Sequence, residues 1–136
     1  MKQTIAAVVA AALTLVMAAC SDPTPPVSPT PVPATITEVF TGTLLVAGNN
    51  MIPFTVQQVG ALKVSLTSVD PSAALGLGIG TPSTGVCAPF QSVNVVPGGP
   101  PVLSGTATVS GAFCVAIYDI GNMVEPVNYT VTVQHS

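Results

Sequence analysis

The stretch "GALKVSLTS" alternates with a period of two, placing Leu62, Val64 and Leu66 on one face and Lys63, Ser65 and Thr67 on the other. Successive side chains of a strand point to opposite faces, so this pattern suits a half-buried β-strand and not a helix. "AFCVAIYD" repeats it with Phe113, Val115 and Ile117, and "NYTVTVQH" sets Tyr129, Val131 and Val133 against Thr130, Thr132 and Gln134. Phe40, Leu44 and Val46, then Phe54 and Val56, then Leu75, Leu77 and Ile79 extend the candidate core. Hydrophobic residues make up 49% of the chain and charged residues 5%, so most strands must hide one face to stay soluble. Turn residues separate the runs at Gly48-Asn49-Asn50, Val59-Gly60, Asp70-Pro71, Pro97-Gly98-Gly99 and Gly121-Asn122. Such spacing predicts an all-β fold, an antiparallel, jelly-roll-like β-sandwich of about eight strands over residues 35–136.

The N-terminal part is of another kind. Lys2 is followed by an apolar stretch from Ile5 to Ala19 that ends at Ala18-Ala19-Cys20 and is then broken by Ser21, Asp22 and Pro23. This is the layout of a secretory signal with its cleavage site, and it is shorter than the roughly 20 apolar residues a membrane-spanning helix needs. The order of residues resembles the lipobox of bacterial lipoproteins, with Met17 where Leu is commonest. The resemblance implies a signal peptide over residues 1–19, a diacylglyceryl group on Cys20 and an envelope location. Ser21 after the Cys favours the outer membrane. "SDPTPPVSPTPVPA" then reads as an extended, semi-rigid spacer, and residues 20–34 would hold the domain some 40 Å from the lipid at roughly 3.1 Å per residue.

Once Cys20 is assigned to lipid, the three cysteines leave an even pair in an exported, oxidising setting, so Cys87 and Cys114 are expected to form a disulfide. Cys114 lies opposite Phe113 and Val115 in the alternation, which puts the bridge on the outer face of its sheet.

"FTVQQVGALKVSLTS", the alternating "ALGLGIG", "LSGTATVSGAFCVAIYD" and the closing "YTVTV" follow one another in an order that resembles the bacterial pre-peptidase C-terminal domain family. That resemblance implies a non-catalytic β-sandwich that accompanies secreted enzymes and sometimes holds calcium. The acidic pair common in the family before its L-x-L strand is reduced here to Asp70, followed by Pro71-Ser72-Ala73, so no calcium or other cofactor is assigned.

The remaining chemical groups are sparse. His135 is the only histidine and lies one residue from the end of the sequence, where chains usually fray. "GTPSTG" lacks the spacing of a nucleophile elbow and reads as a turn. "GLGIG" is followed by no helix, so Gly76, Gly78 and Gly80 leave one strand face bare for another backbone or loop. The acids do not cluster with metal-ligand spacing, and no catalytic residue is assigned. Asp119 with Asn122 in "DIGN" is the acidic turn most suited to binding, against the plainer reading that it caps the turn.

With Lys2 removed, Lys63 faces five acids, a net charge of −4. One cation cannot follow a phosphate backbone, which excludes nucleic acid as a partner. What remains is a binding module for an envelope or extracellular protein or a neutral glycan, an envelope protein that associates through strand edges, or an accessory subunit of a secreted enzyme. The segment from Thr81 to Val102 reads as the longest loop, and it carries Phe90 and Gln91 outside any alternation. Either Phe90 and Gln91 contact a partner, or Phe90 folds back over the bare glycine face and completes the core.

Overall fold

The computed structural model describes residues 26–97, 99 and 103–136. The expected signal peptide and Cys20 lie outside these residues. The chain divides into two units, Met1–Thr30 and Pro31–Ser136. Of the first, residues 26–30 are described, and they are exposed and belong to no strand.

The second unit holds eight strands: β1 (Ile36–Leu44), β2 (Asn49–Val56), β3 (Gly60–Asp70), β4 (Leu75–Ser83), β5 (Val86–Val95), β6 (Leu103–Ala107), β7 (Gly111–Asp119) and β8 (Val127–His135). They form two antiparallel four-stranded sheets, in the order β1-β8-β3-β6 and β2-β7-β4-β5. We call these sheet A and sheet B. This order is that of a jelly roll, an all-β sandwich in which consecutive strands cross between sheets and fold back as Greek keys. Among the described residues there is no helix.

The alternation seen in the sequence is the packing rule of the interior. Leu62, Val64 and Leu66 of β3, Val131 and Val133 of β8, Leu75, Leu77 and Ile79 of β4, and Val115 and Ile117 of β7 are buried between the sheets. Leu44, Phe54, Val56, Phe113 and Tyr129 join them, whereas Val46 lies in the β1–β2 turn and is exposed. That turn is closed by the Gly48 N–H donating to the Leu45 carbonyl at 2.8 Å, which pulls Val46 off the strand that its alternation with Leu44 suggested.

The segment expected to be one long loop is mostly strand. Thr84 and Gly85, with φ of 46° and 81°, make a two-residue turn that joins β4 to β5, while the rest of "GTPSTG", also read as turn, is the end of β4. β5 then pairs with β4 from Val86 to Val95. It was hidden because it is an edge strand: most of its residues are exposed on both faces, so no alternation marks it, and Pro89 reads as a loop residue.

His135 also differs from expectation. It is the last residue of β8 and only 2% exposed, with its Nε2 3.0 Å from Glu38 Oε2 on β1. The end of the chain is tied down, because the backbone N–H groups of Gln57 and Gln58 both donate to the Ser136 backbone oxygen at 3.2 Å.

Candidate partner-binding surface

From Pro71 to Tyr118 the chain holds no Asp, Glu, Lys or Arg. Three of the four strands of sheet B, apart from the terminal Asp119, come from this run, and β2 is uncharged as well. The outer face of such a sheet cannot be left to water by charge, and the β4–β5 hairpin covers part of it. Gly76, Gly78 and Gly80 alternate with the buried Leu75, Leu77 and Ile79 and so face outward. The ring of Tyr118 lies where a Cβ on Gly76 would be, Pro89 packs over Gly78, and the backbone of Ala88 and Pro89 occupies the space that a side chain at Gly80 would need. Every residue from Leu75 to Gly80 is buried as a result.

The bare glycine face is therefore covered, as expected, but by Tyr118, Pro89 and Ala88. The reading in which Phe90 folds back over it is corrected. Between Ile79 and Gly80 the β4–β5 register slips, because Gln91 faces Ile79 while Pro89 faces Gly80, so Phe90 is the extra residue of a β-bulge. A bulge re-aims its side chain, and Phe90 is 64% exposed in a T-shaped contact with the buried Phe113, centroids 6.5 Å apart at 84°.

The disulfide fixes this geometry. Cys87 and Cys114 are bonded, with Cα atoms 5.7 Å apart and a separation of 27 positions in sequence. Cys114 faces outward on β7 as the alternation required, yet it is fully buried, as is the neighbouring outward Ala116. The bridge thus pins the start of β5 to a central strand three residues before Phe90.

Phe90 also ends a row of rings that crosses the molecule. Phe113 stacks on Phe54 at 6.0 Å, and Phe54 meets His135 at 5.6 Å, beyond which stands Glu38. The five residues lie on β5, β7, β2, β8 and β1. No sequence signal joins them, since they are brought together only by the crossing of strands between sheets.

The four residues singled out as partner contacts do not form one site. Phe90 and Gln91 sit beside the Phe113 end of β7. Asp119 and Asn122 belong to its other end, six residues further, or roughly 20 Å along a strand. Asp119 is a turn clamp: its Oδ2 accepts from the Ala47 N–H at 2.8 Å, and its Oδ1 accepts from Gly121 at 2.8 Å, Asn122 at 3.2 Å and Met123 at 3.3 Å. The Ala47 bond foremost, with those from the 121–123 turn, holds its carboxyl below the usual carboxylate range. Both oxygens are engaged in joining the β1–β2 and β7–β8 connections, which is the capping reading and not a binding one.

A concavity, missed in the sequence, lies on the outer face of sheet A. Thr41 and Thr43 of β1, Asn128 and Thr130 of β8, and Ser68 and Asp70 of β3 line a groove of about 370 Å³. Thr43 donates to Asn128 Oδ1 at 2.8 Å, and Ser68 and Thr130 bond at 3.1 Å. Among the described residues no three His, Cys, Asp or Glu side chains converge as a metal site would need.

No protein-family model matches the sequence, and no curated protein matches it either. Solved structures share its fold. The periplasmic inhibitor of g-type lysozyme PliG from Aeromonas hydrophila superposes with a TM-score of 0.54 at 13% identity, covering 71% of this chain and 83% of that one. The Yersinia pseudotuberculosis-derived mitogen superposes with a TM-score of 0.53 at 16% identity, covering 76% and 88%. At these identities the likeness is one of fold, that of an eight-stranded antiparallel sandwich.

Proposed function

We propose that this chain is an envelope lipoprotein, anchored through Cys20, whose sandwich is a non-catalytic module that binds a protein through the bulged edge strand β5. The observation that carries the reading is Phe90: a large aromatic 64% exposed on a strand that is stapled by a disulfide and braced by a T-shaped contact with Phe113. Exposed aromatics on a pre-organised backbone are the anchors that dominate protein interfaces. The surroundings are uncharged, since β5 reads "VCAPFQSVNV", with Val86 57% exposed on the same strand and Gln91 beside the ring to supply hydrogen bonds. The partner is therefore a protein that presents an apolar pocket with neutral polar groups at its rim. Two proteins of the same fold, one called a lysozyme inhibitor and one a mitogen, support the use of such a sandwich for acting on other molecules without catalysis. The motif likeness to pre-peptidase C-terminal domains supports the same reading.

A photo-crosslinking residue at position 90 of the full chain, expressed in its own envelope, should capture a defined protein partner. Phe90→Ala should lower that partner's affinity by tenfold or more while costing the fold only about 1 kcal/mol, the scale of one edge-to-face ring contact. Because no charge lies on β5, raising the salt concentration should leave the affinity nearly unchanged. A complex that survives Phe90→Ala, or that salt dissolves, would place the site elsewhere.

The groove on sheet A favours a second reading, in which a neutral glycan is held by Asp70 and Asn128 among the hydroxyls of Thr41, Thr43, Ser68 and Thr130. A carboxylate accepts two adjacent sugar hydroxyls at once, and the threonines can donate or accept. Titration calorimetry with neutral envelope oligosaccharides tests it, and Asp70→Asn should abolish the heat while Phe90→Ala leaves it intact.

A further inference from the structure

The four sheet edges of the sandwich are not equally defended. An edge strand exposes unpaired N–H and C=O groups that can template another strand, and proteins block this with proline, bulges, shortness or charge. β2 carries Pro53, β5 carries Pro89 and its bulge, and β6 is five residues long. β1 has no proline, no bulge and no shortness to protect it. It runs nine residues from Ile36 to Leu44 without proline, in unbroken register with β8, and among the described residues nothing pairs with its other side. Its outward residues Thr37, Val39, Thr41 and Thr43 are uncharged and exposed, with Val39 at 62%. Its one charge, Glu38, is engaged within the molecule by His135.

We propose that β1 pairs antiparallel with β1 of a second copy, joining two A sheets into one eight-stranded sheet about a two-fold axis at Phe40. The strand suits itself as a partner. In that register Phe40 lies opposite its own copy, Val39 opposite Thr41, Thr37 opposite Thr43, and Glu38 opposite Gly42. Aromatic–aromatic and Thr–Thr pairs stabilise antiparallel ladders, and no carboxylate meets a carboxylate. Phe40, half-buried and already packed on the core, would lose its remaining exposure. The assembly also stops at two, because the interface uses the same strand on both copies and the other edges are blocked. This inference concerns a surface separate from Phe90 and stands whether or not β5 binds a partner.

The test is the mass of the full chain in detergent, measured by sedimentation equilibrium in a solvent density-matched to the detergent. The parent chain should show twice the chain mass. Val39→Lys puts two like charges diagonally across the axis at a position that is 62% exposed and outside the core, so it should halve the mass without lowering the melting temperature. Val39→Thr should keep the dimer, and so should Val86→Lys on β5. In Val39→Cys combined with Thr41→Cys, mild oxidation should link the two copies covalently. A parent chain of single mass at every concentration, or a dimer that Val39→Lys leaves intact, overturns the proposal. Partner capture that survives Phe90→Ala with the dimer retained would break only the β5 reading, so the two failures are distinguishable.

Discussion

Sheet A and sheet B are each four antiparallel strands, yet they meet water in opposite ways. Sheet A keeps a conventional outer face, where Thr41, Thr43, Ser65, Thr130, Thr132 and Lys63 alternate with the buried apolar set. Sheet B has almost no charge to place there, and folds its own hairpin over a track of glycines, with a disulfide to hold it. The difference teaches that a chain with 5% charged residues can shield a sheet with its own backbone in place of polar side chains. It also explains why the two sheets should respond differently to substitution.

The largest effect should come from cutting the staple of sheet B. Replacing Cys87 and Cys114 together by Ser releases a loop of 27 residues, which should lower stability by up to about 3.5 kcal/mol in denaturant titration. If the double variant melts like the parent, the hairpin cover is held by packing alone, and the contrast between the sheets loses its cause.

Next is the glycine track. Gly80→Ala would drive a methyl group into the backbone of Ala88 and Pro89, atoms that cannot rotate away, and should cost about 1–3 kcal/mol or more by overpacking. Gly105→Ala on β6 of sheet A is the matched control, since its nearest neighbour is the Gln91 side chain at 3.9 Å, and it should be close to neutral. Equal costs at the two sites would remove the distinction.

A smaller effect, lost in acid, belongs to Asp119, which ties the β1–β2 turn to the β7–β8 connection. Its carboxyl titrates below the ordinary carboxylate range in the folded protein, so the unfolded chain takes up the proton first as pH falls. Its contribution is present in full above the ordinary value of about 4 and is lost as pH drops through the lower folded value. Melting curves across that window should fall with acid in the parent and fall less steeply in Asp119→Asn, which melts lower at neutral pH. The smallest effect should come from sheet A's open face, where Thr130→Ala removes one exposed hydroxyl contact to Ser68 and should change stability by about 0.5 kcal/mol or less.

The sequence by itself determined the fold class, the inward faces of β3, β4, β7 and β8, the disulfide partners and the need for something to cover Gly76, Gly78 and Gly80. These follow from local rules: a period of two, the count of cysteines and the absence of a side chain. It could not show β5, because an edge strand exposed on both faces carries no alternation, nor that His135 is buried, because its partners Glu38 and Phe54 are remote in sequence. Only the tertiary structure decided that Phe90 faces solvent on a bulge while Tyr118 covers the glycines. It alone set Asp119 a β7 length away from Phe90, and made β1 the undefended edge. Those facts depend on which strands become neighbours when the chain crosses between sheets, and that order is a global outcome of packing that no single segment encodes.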